Sequence, residues 1–124
     1  MNAIGAGKQE KVAGSIIIET VRDLPMITGA GQVISITADE YNSGNYYLYF
    51  LDYYNHVMLI NLRSLMPDSY NSTTYRVYMQ NNSAQWRYIS FLYDYIGDRR
   101  ITFNIQNYEA MSTILTKFAI VKIP

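Results

Sequence analysis

The chain contains no cysteine. That absence excludes a disulfide scaffold, thiolate catalysis, a redox pair and cysteine-ligated zinc or iron–sulfur centres. Histidine is nearly absent as well: His56 stands alone, so one chain cannot build a multi-histidine metal centre. Charge of one sign is also missing. Ten Lys plus Arg balance ten Asp plus Glu, with no long run of either, so the long-range field of a general nucleic-acid binder is not expected. Apolar runs are short and fall well below the roughly 20 residues that span a bilayer. The first 14 residues hold no continuous apolar segment, so neither a signal peptide nor membrane insertion is expected.

Sequence motifs for catalysis or cofactors are equally sparse. Gly29 and Gly31 precede a strand-like segment rather than a helix, which removes a phosphate-binding glycine loop. No serine sits in a glycine-flanked nucleophile elbow. Asp39 with Glu40, and Asp94 with Asp98, lack EF-hand spacing. Glu19, Asp52, Asp94, Asp98 and Glu109 are the carboxylates from which a glycosidase pair could be drawn, but strand ends and turns carry acids for solubility alone. Asn71 and Asn81 begin Asn-x-Ser/Thr patterns, a spacing common by chance. The expectation is a non-enzymatic protein with no cofactor and no metal.

What remains is a chain of 124 residues, 49% apolar, with material for one compact core. Residues 1–14 mix Gly5, Gly7 and Gly14 with Ala, Lys, Gln and Glu, and read as a flexible lead-in. Residues 15–124 read as one domain. Alternating apolar and polar positions predict strands over 15–21, 32–38, 46–51, 57–62, 74–80, 85–93, 101–105 and 113–123. Pro25 ends the first, and a short helical turn fits before Pro67. A helix over 108–117 competes with the last strand, whose β-branched ending favours β structure. About eight short strands predict an all-β, two-layer antiparallel sandwich, with a jelly-roll-like arrangement favoured over an immunoglobulin-like one.

Tyrosine is the unusual presence, with 13 copies against four Phe and one Trp. A phenol ring buries apolar area and keeps a hydrogen bond, which suits a core rim, a subunit interface or a sugar-binding surface. The segments 46–51, 57–62 and 85–93 are apolar on both sides, which predicts interior strands or cover from another chain. Tyr47, Tyr49, Trp86 and Tyr88 are the expected interface residues of a homotrimer or homodimer. Tyr53, Tyr54, Asn55 and His56 form one candidate ligand-binding loop. A second candidate near a turn groups Arg87 with Tyr93, Asp94, Tyr95, Asp98, Arg99 and Arg100, of which Tyr95 and Arg99 are the proposed ligand contacts.

These features point to a structural or attachment module that self-associates. By fold-level analogy it resembles viral fibre, capsid-decoration or receptor-binding domains. A virion is then one expected location, and a surface glycan or a protein receptor an expected partner. Nucleic acid is disfavoured by the neutral charge balance. A monomeric carbohydrate-binding domain and a small β-sandwich glycoside hydrolase are the competing readings.

Overall fold

A computed structural model describes residues 17–28, 32–65, 73–94, 100–105 and 109–124. The proposed lead-in, and Tyr95 and Arg99 of the second candidate cluster, lie outside the described residues. Eight strands form two four-stranded antiparallel sheets. They are β1 (Glu19–Asp23), β2 (Gln32–Ser35), β3 (Tyr46–Asp52), β4 (Val57–Asn61), β5 (Thr73–Gln80), β6 (Trp86–Asp94), β7 (Arg100–Asn104) and β8 (Leu115–Lys122). Sheet A has the order β1-β8-β3-β4 and sheet B the order β2-β7-β6-β5. The first strand lies beside the eighth and the second beside the seventh, the nesting of a ribbon rolled upon itself, and this is the jelly-roll-like feature. In a fully rolled ribbon β3 would pair with β6; here β3–β4 and β5–β6 are hairpins, each within one sheet.

The sheets meet through inward-facing residues spaced two apart. On β3 these are Leu48 and Phe50, on β6 Ile89 and Phe91, on β7 Ile101 and Phe103, and on β8 Phe118 and Ile120, all essentially inaccessible to solvent. Phe50 and Phe118 are directly opposed within sheet A, and Phe91 and Phe103 within sheet B. Across the sheets, Phe50 lies 6.2 Å from Phe91, and Phe103 meets Phe118 edge-on at 5.2 Å. With the in-sheet centroid distances of 5.2 and 4.9 Å, the four rings close a cycle that spans both layers.

Several sequence expectations need correction. The first strand runs through Arg22 and Asp23, residues that read as its terminating turn. Arg22 is held there because its guanidinium pairs with Glu40 and donates to Ser35 O at 3.1 Å, and a bulge at Val21 sets the turn in register. Residues 38–43, which read as the end of a strand and a connection, form a helix, α1 (Ala38–Ser43). Its start is a reciprocal cap: Glu40 N donates to Thr37 Oγ1, and Thr37 N donates to Glu40 Oε1, each at 3.0 Å. Gly44 ends it at φ 81. The segment 57–62, judged too apolar for a solvent-facing edge, supplies the edge strand β4, with Val57 and Met58 exposed. Its last residue instead enters the 3-10 turn Leu62–Leu65, which buries Leu62 and Leu65. β6 is an interior strand, as its two-sided character predicts.

The ring cycle supplies a stability test. Truncating Phe50 or Phe103 to alanine is expected to remove roughly 3–5 kcal/mol, because each leaves a cavity between layers that cannot collapse independently. Val57→Thr, at an exposed position of the edge strand β4, is expected to stay within about 0.5 kcal/mol of the parent. Urea unfolding of the three variants separates these outcomes.

Candidate functional site at the loop end of the sandwich

The inward series of β3 ends on a charged residue. Asp52 follows Leu48 and Phe50 on the same face and is 1% exposed, so its carboxylate closes one end of the core. Such a group must be saturated with donors. Its Oδ1 accepts from Tyr54 N at 2.8 Å and His56 N at 2.9 Å, which shapes the β3–β4 turn. Its Oδ2 accepts from Gln80 N at 2.9 Å, at the end of β5 in the opposite sheet, and from His56 Nδ1 at 2.7 Å. Asn55 completes the turn at φ 64, a region that asparagine tolerates. Burial works to raise the pKa of Asp52, but the donors from Gln80, His56 and Tyr54 outweigh it and hold the carboxyl below its ordinary value. Since an ionised carboxylate only accepts, the bonded imidazole nitrogen carries hydrogen, and in the neutral ring Nε2 is left as an acceptor.

His56 in turn lies against Trp86, with ring centroids 5.1 Å apart. Trp86 opens β6 and is 56% exposed. The turn before it is built by the buried Asn81, whose Oδ1 accepts from Ser83 N and Gln85 N, each at 2.9 Å. Ala84 sits there at φ 61. Next to Trp86, Arg87 belongs to the inward-facing series of β6, and its Nε donates to Glu109 Oε1 at 2.6 Å. The Glu109 carboxyl lies below its ordinary range because Asn81 donates to it; burial opposes this, and Arg87 and Thr113 add to it. Of the two inward charges at the same end, Asp52 is therefore saturated with donors and Arg87 is paired with an opposite charge.

The structure brings Tyr53, Tyr54, Asn55 and His56 together in one turn. The rings do not project freely: Tyr53 hydroxyl donates to Ser112 O, and Tyr54 hydroxyl reaches Asn82 O at 3.4 Å. Both rings stay substantially exposed. Trp86, expected at an interface, joins this turn through His56. Arg87 lies near the start of β6, whereas Asp94, which pairs with Arg100 of β7, ends it, so Arg87 is remote from these two members of the second candidate cluster. Tyr88 lies on the outer face of sheet B, and Tyr47 and Tyr49 on the outer face of sheet A. The four expected interface residues thus belong to two opposite surfaces. Asp52 and Glu109 both fall at the loop end, but both carboxyls are pulled down, contrary to the raised proton donor that a glycosidase pair needs. A depression of about 400 Å³ lies elsewhere, between Asp23, Leu24 and Met26 and the β8 residues Thr116, Lys117 and Phe118, and contains none of the expected site residues.

Sequence reasoning named Asp52 only as a loop acid, although its place in the inward series of β3 was a usable signal. Gln80 and Asn81 carried none, since their roles depend on which loops meet.

Asp52 ties stability to pH. A folded-state pKa below the unfolded one stabilises the fold above the unfolded value of about 3.9, and that contribution drains as pH falls through the folded value. Urea unfolding is expected to show a steep loss below about pH 4. Asp52→Asn is expected to cost roughly 1–3 kcal/mol at neutral pH, because an amide sets donor against donor, and to flatten the acid limb. An unchanged acid limb in that variant would refute the assignment. No helix among the described residues is long and apolar enough to cross a membrane. In comparisons with protein-family models, curated proteins and solved structures, the chain matches none.

Proposed function

We propose that the chain is a non-enzymatic structural or attachment module that assembles with copies of itself through the outer face of sheet B. The observation that carries this reading is the apolar band on that face. Tyr78 is 55% exposed and Val33 48% exposed. Tyr78 opposes Tyr88 across β5–β6 with ring centroids 5.5 Å apart, and Arg76 lies over the Tyr88 ring at 5.0 Å. Leu92, on the same face of β6, continues through its partner Thr102 on β7 to Val33 on β2. Apolar side chains on this face thus come from β5, β6 and β2, with Thr102 of β7 between Leu92 and Val33.

Sheet A treats its outer tyrosines differently. Tyr47 and Tyr49 stand opposite Val121 and Ala119, both fully buried, and Lys117 Nζ lies 5.6 Å from the Tyr49 ring centroid. The chain thus supplies much of the cover for that face itself and leaves sheet B the more open surface. A face that exposes aromatic and aliphatic side chains beside Arg76 and Arg100 suits self-complementary packing about a symmetry axis. Fold-level analogy extends the reading to viral fibre, capsid-decoration or receptor-binding domains. The depressed carboxyls at the loop end support a non-catalytic role.

Sedimentation velocity and light scattering over roughly 1–100 μM are expected to give a dimer or trimer. Replacing Tyr78 and Val33 together by serine is expected to shift it to monomer and to remove the concentration dependence of the unfolding midpoint that assembly supplies. A parent chain that stays monomeric throughout that range overturns the proposal.

A further inference from the structure

We infer that the loop end binds a neutral saccharide, with the Trp86 indole as its stacking platform and His56 Nε2 and the Asn82 amide as hydrogen-bonding partners. This rests on the loop-end geometry; Trp86 shares the outer face of sheet B with the Tyr78–Tyr88 pair, so the platform adjoins the surface proposed for self-association.

The first support is the way an exposed ring is held. Trp86 exposes more than half its surface, yet it is braced from behind. His56 packs against the indole, Asp52 fixes the imidazole, and Asp52 is fixed by backbone donors at Tyr54, His56 and Gln80. Three linked layers, drawing on both sheets, end on a ring that faces water. A ring immobilised in advance loses little rotamer freedom when a ligand settles on it. The two loops that present this pair also hold Asn55 at φ 64 and Ala84 at φ 61, the only non-glycine positive φ angles among the described residues.

The second support is the chemistry left unspent. The charged groups of the cluster are engaged in place: Asp52 is saturated by four donors, and Arg87 is paired with Glu109. An anionic ligand would find the guanidinium engaged, and a cationic one would find both carboxylates engaged. What remains is neutral. Asn82 is exposed in the turn that leads to Trp86, and Asn55 is exposed in the turn that holds His56. His56 Nε2 contributes an acceptor. An apolar ring face bordered by neutral donors and an acceptor matches the C–H face and hydroxyls of a sugar ring. A protein partner would use the broader apolar band of Tyr78, Tyr88 and Val33.

Trp86 is the sole tryptophan, so its emission reports the site directly. The test titrates the full chain with neutral oligosaccharides, namely cellohexaose, maltohexaose and chitohexaose, following emission and, in parallel, heat by calorimetry. At least one is expected to blue-shift the emission and saturate. Trp86→Ala is expected to abolish the calorimetric signal while keeping the parent unfolding midpoint, and His56→Ala to weaken binding by on the order of tenfold. The monomeric Tyr78→Ser/Val33→Ser variant should bind at least as tightly as the parent, because it frees the outer face of sheet B and keeps Trp86 and His56; assembly without sugar binding, or sugar binding without assembly, separates failure here from failure of the assembly reading. No response to any of the three sugars at about 10 mM, equal binding by Trp86→Ala, or a response confined to a sulfated oligosaccharide would overturn the inference.

Discussion

Contact among the four phenylalanine rings is the interaction on which the two layers depend. The chain has no other phenylalanine, and each ring comes from a different strand: β3 and β8 in one sheet, β6 and β7 in the other. These are the interior strands of their sheets, flanked on both sides by a neighbour that closes the core around them. Tyr75, on the edge strand β5, stacks on Phe91 at 5.4 Å and carries its hydroxyl to Ser64 O at 2.9 Å. The division follows from the phenol. A ring without a polar atom goes to the centre, where no partner is available, and a ring with one goes to the rim, where a carbonyl or water can be found.

Beyond the rings the core must end, and its ends set different problems. At the loop end the inward registers of β3 and β6 run out on Asp52 and Arg87. A charge at the margin of a core costs free energy unless it is paired, and each here is paired from a different loop. The turn at 53–56, the turn at 81–85 and the segment at 109–113 are thereby locked to one another, through contacts such as Asn82 N to Thr113 O at 2.7 Å. At the α1 end the same logic operates through Glu40, whose buried carboxyl caps the helix and receives Arg22. Burial raises its pKa, and the bonds from Arg22 and Thr37 bring it below the ordinary value.

Period-two alternation made much of this architecture legible. Ile34 and Ile36, Leu48 and Phe50, and Ile101 and Phe103 occupy the buried face that their spacing implies, and Trp86 and Tyr88 share the outer one. Alternation says which residues share a face and nothing about which strands are neighbours. Hence an apolar segment such as 57–61 could be read as interior and yet lie at an edge, and Tyr47 and Trp86 could be grouped although they lie on opposite sides of the sandwich. The helix α1 was legible by another route. Thr37 three residues before Glu40, with Gly44 after the last turn, is a capping pattern, but a six-residue helix shows too little periodicity to attract notice. The candidate ligand turn was found from composition alone; its dependence on Gln80 and Trp86 requires the meeting of two sheets.

Asp52 joins these threads, because one carboxylate does two jobs that mutation cannot separate easily. It closes the core and it orients His56 beneath Trp86. A change that loosened the imidazole would also leave the Gln80 amide without its acceptor at the junction of the sheets, so the exposed ring is held at the same free-energy level as the fold itself rather than as a mobile loop. The outer band on sheet B has no such coupling. Tyr78 and Val33 sit on a surface whose inward partners are already packed, so their identities can vary with little cost to folding. Surfaces of the second kind are free to diverge with their partners, whereas the loop end can vary freely only at exposed turn positions such as Asn55 and Asn82, whose side chains do not support the core.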